Sequence, residues 1–142
     1  MKNLYILVTI LLPLLSVAQN ESKNMVGVTA NYHNRSCVGG TGFCSDSSNI
    51  TESNQANATL QKTAYNQVVM AFDLHSLSNV EIEELYSEKL FTVSGDKNMV
   101  LSRNLLTELK IDTRFSEITT GSYPIQIEND KVMVTFVLSK NK

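Results

Sequence analysis

Two cysteines and two histidines are all that 142 residues contain of the strongest metal-binding side chains. That scarcity excludes a disulfide-dense scaffold and the four-ligand zinc centres built from paired cysteines. Basic residues are also few. The 12 Lys and Arg are scattered singly against 14 Asp and Glu, for a formal net charge of −2 at pH 7. A nucleic-acid face needs such residues clustered, so nucleic-acid binding is excluded. Beyond residue 18 no apolar run is long enough to cross a bilayer. Absent too are a Gly-x-Ser-x-Gly nucleophile elbow, a carboxylate pair arranged for glycoside cleavage and a phosphate loop ending in Lys-Ser or Lys-Thr. An enzyme is therefore disfavoured, and no cofactor is expected.

What is present begins with an export leader. Lys2 supplies the positive start, Leu4 to Leu15 an apolar run broken only by Thr9 and Pro13, and Ser16-Val17-Ala18 a small-residue cleavage site. Residues 1–18 are thus expected to be a signal peptide cut after Ala18, which predicts a periplasmic or secreted protein. With no cysteine directly after the cut, no acceptor for an N-terminal lipid is expected. About 124 residues then remain, enough for one domain with a modest core.

Residues 19–62 are rich in Asn, Ser, Thr and Gln and hold few large apolar side chains, so they are predicted to be mostly loop. Val26, Val28, Ala30 and Tyr32 alternate with smaller or polar residues and suit one short strand. Asn20, Asn34, Asn49 and Asn57 each open an acceptor tripeptide for N-glycosylation, a pattern that chance produces readily in such a segment. The distinctive stretch is Cys37-Val-Gly-Gly-Thr-Gly-Phe-Cys44. In an oxidising compartment Cys37 and Cys44 are expected to form a disulfide, worth roughly 2.5 kcal/mol by loop closure. The enclosed Val38, Gly39, Gly40, Thr41, Gly42 and Phe43 are the candidate binding loop, because bare glycine backbone can offer donors and acceptors to a ligand. A metal site from His33, Cys37, Cys44 and Asp46 is the chemical alternative, since nitrogen, thiolate and carboxylate suit zinc or copper. A catalytic thiol at Cys37 with His33 as its base is disfavoured, because an oxidising compartment would pair it with the nearby Cys44 in a disulfide.

Residues 63–142 are predicted to form the core domain. Val68, Met70, Phe72 and Leu74 fall on one face of a strand. Ser78 and Glu81 form a capping box flanked by a Leu77–Ile82 staple, predicting a helix from Asn79 to about Lys89. Ile82, Leu85 and Tyr86 make its inward stripe, while Glu81, Glu84 and Glu88 read as a solvated face. Short strands are expected at Leu90 to Val93 and Met99 to Leu101. Ser102 then caps a second helix that turns Leu105, Leu106 and Leu109 inward. His75 reads as a surface histidine at the end of its strand. Phe115 to Thr119 is a short strand candidate. Beyond it Asn129-Asp130 sits between two apolar runs and predicts a tight hairpin that sets Ile127 opposite Val132, Ile125 opposite Val134 and Tyr123 opposite Phe136. Pro124 cannot donate to a ladder, which marks Tyr123 to Glu128 as an edge strand.

The Ser-Val-Ala-Gln end of the leader, together with Gly121-Ser-Tyr-Pro-Ile125 entering an Asn-Asp hairpin, resembles short exported proteins of Bacteroidota. The resemblance implies an exported or envelope protein and carries no activity with it. The expected fold is α+β: a small, mainly antiparallel sheet with two short helices on one face, and a polar N-terminal region carrying the disulfide-closed loop. The expected function is a noncatalytic binding or envelope-interaction module whose partner is a protein or envelope component. The alternative is a small exported metal-handling protein or enzyme using His33, Cys37 and Cys44.

Overall fold

A computed structural model describes residues 25–29, 41–44 and 49–142. In chain order the strands are Met25–Thr29 (β1), Gly42–Cys44 (β2), Asn49–Glu52 (β3), Ala58–Ala64 (β4), Gln67–Asp73 (β5), Leu90–Ser94 (β6), Met99–Leu101 (β7), Phe115–Ile118 (β8), Gly121–Glu128 (β9), Lys131–Val137 (β10) and Ser139–Lys140 (β11). A 3₁₀ turn covers Leu74–Ser76, and two α-helices cover Asn79–Glu88 (α1) and Arg103–Glu108 (α2). The chain is therefore α+β and mostly strand.

Local chemistry explains each of the better-marked elements. Along β5 the buried positions are Val68, Met70 and Phe72, continued by Leu74, as strict alternation requires. The Ser78 hydroxyl accepts from the Glu81 N–H at 3.3 Å and the Glu81 carboxylate accepts from the Ser78 N–H at 2.8 Å, so two otherwise orphaned donors start α1. Leu85 is buried and Ile82 packs on the core, but Tyr86 is 53% exposed and leaves the expected stripe. The helix ends when Lys89 adopts a left-handed conformation (φ 53°). Ser102 caps α2 through the Leu105 N–H, and Leu105, Leu106 and Leu109 are buried. Asn129 and Asp130 both take positive φ (51° and 60°), the requirement of a type I′ hairpin. The register follows: Val132 pairs with Ile127 and Val134 with Ile125. Tyr123 and Phe136 lie past the end of that ladder, yet their rings still meet edge to face at 4.8 Å.

The expected small sheet is corrected to one of eleven strands, in the order β11-β8-β7-β3-β1-β4-β5-β10-β9-β6-β2. Its ladders are antiparallel except β2 with β6 and β3 with β7. The size comes from the polar N-terminal stretch, which supplies β1, β2, β3 and most of β4. Position 62 falls inside β4, and Val28, Phe43, Ile50, Ala58 and Leu60 share one buried cluster with the downstream strands. The ladder also turns back on itself. β11 begins one residue after β10, yet it pairs with β8 at the far end of the order. At the joint the Leu138 N–H donates to the Asn66 carbonyl at 2.7 Å and its side chain is buried. A single bent run of chain thus closes the path from β10 through β5, β4, β1, β3, β7 and β8, leaving β9, β6 and β2 as an extension from β10.

β9 is not an edge strand, because β6 pairs along it from Leu90–Pro124 to Val93–Gly121. Pro124 is tolerated for a geometric reason. Ile125 donates to the Lys89 carbonyl on the β6 side, so the preceding nitrogen faces β10, where the ladder has already ended at Ile125–Val134. In the interior, Phe91 of β6 stands 4.8 Å from Phe43, 5.9 Å from Phe72 and 6.0 Å from Phe136. These rings tie the β2–β6 extension to β5 and β10. No helix among the described residues is long and apolar enough to cross a membrane.

Candidate functional site

Within the cysteine-flanked stretch, Thr41, Gly42 and Phe43 belong to the protein interior. β2 pairs in parallel with β6, Gly42 with Thr92, Phe43 with Val93 and Cys44 with Ser94. The Thr92 N–H donates to the Thr41 carbonyl at 3.2 Å and the Ser94 hydroxyl to the Phe43 carbonyl at 3.1 Å. Thr41 is buried and Phe43 fully so. Gly42 is required by close approach: a Cβ there would lie 1.6 Å from the Thr92 carbonyl oxygen. Val38, Gly39 and Gly40 lie outside the described residues, as do His33, Cys37 and Asp46. The expected disulfide is accordingly no part of the described structure, which Cys44 enters through its backbone as the last residue of β2. Among the described residues no three His, Cys, Asp or Glu side chains gather closely enough to hold a metal ion. Glu81 serves the helix cap, and His75 is exposed with its Nε2 3.7 Å from Asp130.

The side chains that do converge lie where two parallel strands end. β3 and β7 run side by side, Asn49 with Val100 and Ile50 with Leu101, and the Ser102 N–H donates to the Ile50 carbonyl at 3.0 Å. Beyond that pair the chain turns into α2, which places Arg103 at the surface and Leu106 beneath it. On the other side β8 pairs with β7, Met99 with Ile118 and Val100 with Glu117. Alternation along β8 turns Ser116 and Ile118 inward.

A cleft of about 390 Å³ opens between these elements. Its aliphatic side is Val100, Leu101 and Leu106; its polar side is Ser102, Thr113, Ser116 and Asn141, with Arg103 as the charged residue. Ser116 is 5% exposed and occupies an inward position that its strand would ordinarily fill with an apolar residue. Its hydroxyl has no hydrogen-bond partner among the described residues and lines the cleft, where it is free to meet a ligand.

The two arginines among the described residues differ electrostatically. Arg114 is engaged by Asp112 through Nη2 at 2.6 Å and Nε at 3.0 Å, and the guanidinium holds the Asp112 carboxyl at a pKa of about 2, below its ordinary 3.8. Arg103 forms no ion pair among the described residues, and the cleft lining contains no carboxylate to neutralise it. What these groups offer is recognition: a planar cation, hydroxyls and an amide above an aliphatic floor.

Neither Arg103 nor Ser116 stands out in the sequence as a site residue. The available signal was a serine at an inward position of an alternating strand, which becomes meaningful only once the neighbouring helix and C-terminus are in place. A second cleft, about 340 Å³ between α1 and β9, is lined by Tyr86, Lys89, Ile125 and Ile127, residues that the sequence marks only as helix stripe, helix end or hairpin. Compared with protein-family models, with curated proteins and with solved structures, the chain matches none of them.

Proposed function

We propose that this chain is an exported, noncatalytic binding module whose ligand is a small organic anion seated in the Arg103 cleft. The observation that carries the reading is the convergence, on one aliphatic-floored cleft, of a guanidinium and an inward Ser116 hydroxyl that have no ion-pair or hydrogen-bond partner among the described residues. An Arg fork accepts a carboxylate through two parallel hydrogen bonds, and the floor takes a short carbon chain. The leader at residues 1–18 and a Cys37–Cys44 disulfide belong to the same reading, as features of an envelope or secreted protein. Within the cysteine loop, Val38, Gly39 and Gly40 remain as contact surface for an envelope partner.

Isothermal titration of the purified chain with propionate, succinate and inorganic phosphate tests the proposal. Saturable binding of a carboxylate is expected, lost in Arg103→Gln and weakened about tenfold or more in Ser116→Ala, the scale of one hydrogen bond to a charged group. Undiminished binding by Arg103→Gln, or no heat from any of the three probes, would overturn it. The metal-handling alternative separates cleanly: mass measurement with and without thiol alkylation, plus elemental analysis, distinguishes a disulfide from two free thiols with one bound metal.

A further inference from the structure

The Arg103 cleft has a neighbour. A second depression of about 300 Å³ is lined by Thr51, Glu52, Ser53, Asn54, Ser102 and Asn104, so Ser102 is the wall that both share. Strand register explains the juxtaposition. After the parallel pair Ile50–Leu101, one strand continues as Thr51-Glu52-Ser53-Asn54 and the other as Ser102-Arg103-Asn104. Glu52 and Arg103 therefore leave adjacent chains two positions beyond the last pair, with opposite charge. Both are exposed, and neither forms an ion pair among the described residues, with the other or with any third residue. Each instead lines its own lobe, the carboxylate among hydroxyl and amide groups and the guanidinium beside the aliphatic floor.

We infer that the two lobes form one groove for a zwitterion, a short peptide whose carboxylate meets Arg103 and whose ammonium meets Glu52. The inference rests on the anion reading of the first lobe and adds the second charge. An ammonium presents three donors, and Glu52, Asn54, Asn104 and Ser53 supply oxygen acceptors for them. The division into two lobes selects the length of the ligand. Glu52 closes β3 and Arg103 opens α2, and each lines its own lobe with Ser102 as the shared wall. A single α-amino acid carries both charges on one carbon, whereas a dipeptide sets them a peptide unit apart, one for each lobe.

Three related probes decide the matter on the intact chain: Ala-Ala, N-acetyl-Ala-Ala and Ala-Ala amide, titrated against wild type, Glu52→Gln and Arg103→Gln. Both substitutions are at exposed positions, and thermal melts establish that each variant is folded. Ala-Ala is expected to bind wild type about tenfold or more tightly than the acetylated peptide, in keeping with one charge-assisted contact. In Glu52→Gln that advantage should vanish while the acetylated peptide binds as it does to wild type. Removing the carboxylate in Ala-Ala amide, or the guanidinium in Arg103→Gln, should abolish binding of the otherwise matched pair. Equal binding of Ala-Ala and N-acetyl-Ala-Ala to wild type would overturn the ammonium lobe and leave the anion site standing. If propionate binds and none of the peptides does, the peptide assignment alone falls; if no carboxylate of any kind binds, both readings fall together.

Discussion

Replacing Gly42 with alanine is a severe perturbation made by one methyl group. The added carbon would stand 1.6 Å from the Thr92 carbonyl oxygen, 2.6 Å from its carbon and 2.9 Å from its nitrogen. All three are backbone atoms, and no rotamer change can move them. β2 must then step away from β6, giving up the Gly42–Thr92, Phe43–Val93 and Cys44–Ser94 pairs and withdrawing Phe43 from its place against Phe91 and Phe136. Truncating a buried phenylalanine costs about 3–5 kcal/mol, and losing its seat altogether should cost a similar amount. A domain of this size has only about 5–15 kcal/mol to lose. Urea denaturation followed by circular dichroism is the assay, with Phe43→Ala and the double variant alongside. Because Gly42→Ala already displaces Phe43, the double variant is expected to lose no more than the worse single one. Two results would refute the reasoning: a Gly42→Ala cost below about 1 kcal/mol, which would mean that β2 does not approach β6 so closely, or simple additivity in the double variant.

Three further predictions rest on local features. Ser78→Ala removes the hydroxyl that accepts from the Glu81 N–H and should lower the urea-derived stability by about 1 kcal/mol, whereas Ser78→Asp should retain most of it. Lys89 holds a left-handed conformation (φ 53°) as the C-cap of α1, so Lys89→Gly should raise stability by about 0.5–1 kcal/mol after the entropy lost by the freer unfolded chain is allowed for. Asp112 should titrate at about 2 instead of 3.8, because the Arg114 guanidinium hydrogen-bonds its carboxylate. A carboxyl depressed by folding adds stability above its unfolded pKa and loses it as the pH falls from about 3.8 to about 2. Carboxyl-carbon NMR checks the titration, and Asp112→Asn should flatten that part of the pH–stability curve.

Where an element is specified by residues close together in sequence, the sequence made it legible. The capping box of α1, the inward leucines of α2, the alternation of β5 and the Asn129-Asp130 hairpin all depend on neighbours within a few positions, and all appear as expected. The large sheet was hidden because its additional strands bury so little apiece. β2 contributes Phe43, β3 contributes Ile50, and β4 contributes Ala58 and Leu60. One or two apolar residues inside a polar segment do not make a period-2 signal, and their burial depends on partners elsewhere in the chain. β9 departs from the expected edge position for the same reason: Pro124 does bar a donor, but only the placement of β6 and β10 decides whether the missing donor faces a paired strand.

The candidate groove lies at the least local point of this fold. Both parallel ladders, β2 with β6 and β3 with β7, join segments about fifty positions apart and leave no mark in a short window of sequence. Parallel pairing is also what brings two strand ends to the same edge of the sheet, since both chains run the same way. On its other side β3 pairs antiparallel with β1, and an antiparallel strand in the place of β7 would likewise run away from Glu52 instead of ending beside it. The opposition of Glu52 and Arg103 thus follows from strand direction, and the inward Ser116 gains its meaning from β8 lying beside β7. Strand direction and register place this chemistry, and neither is carried by the identity of any one residue.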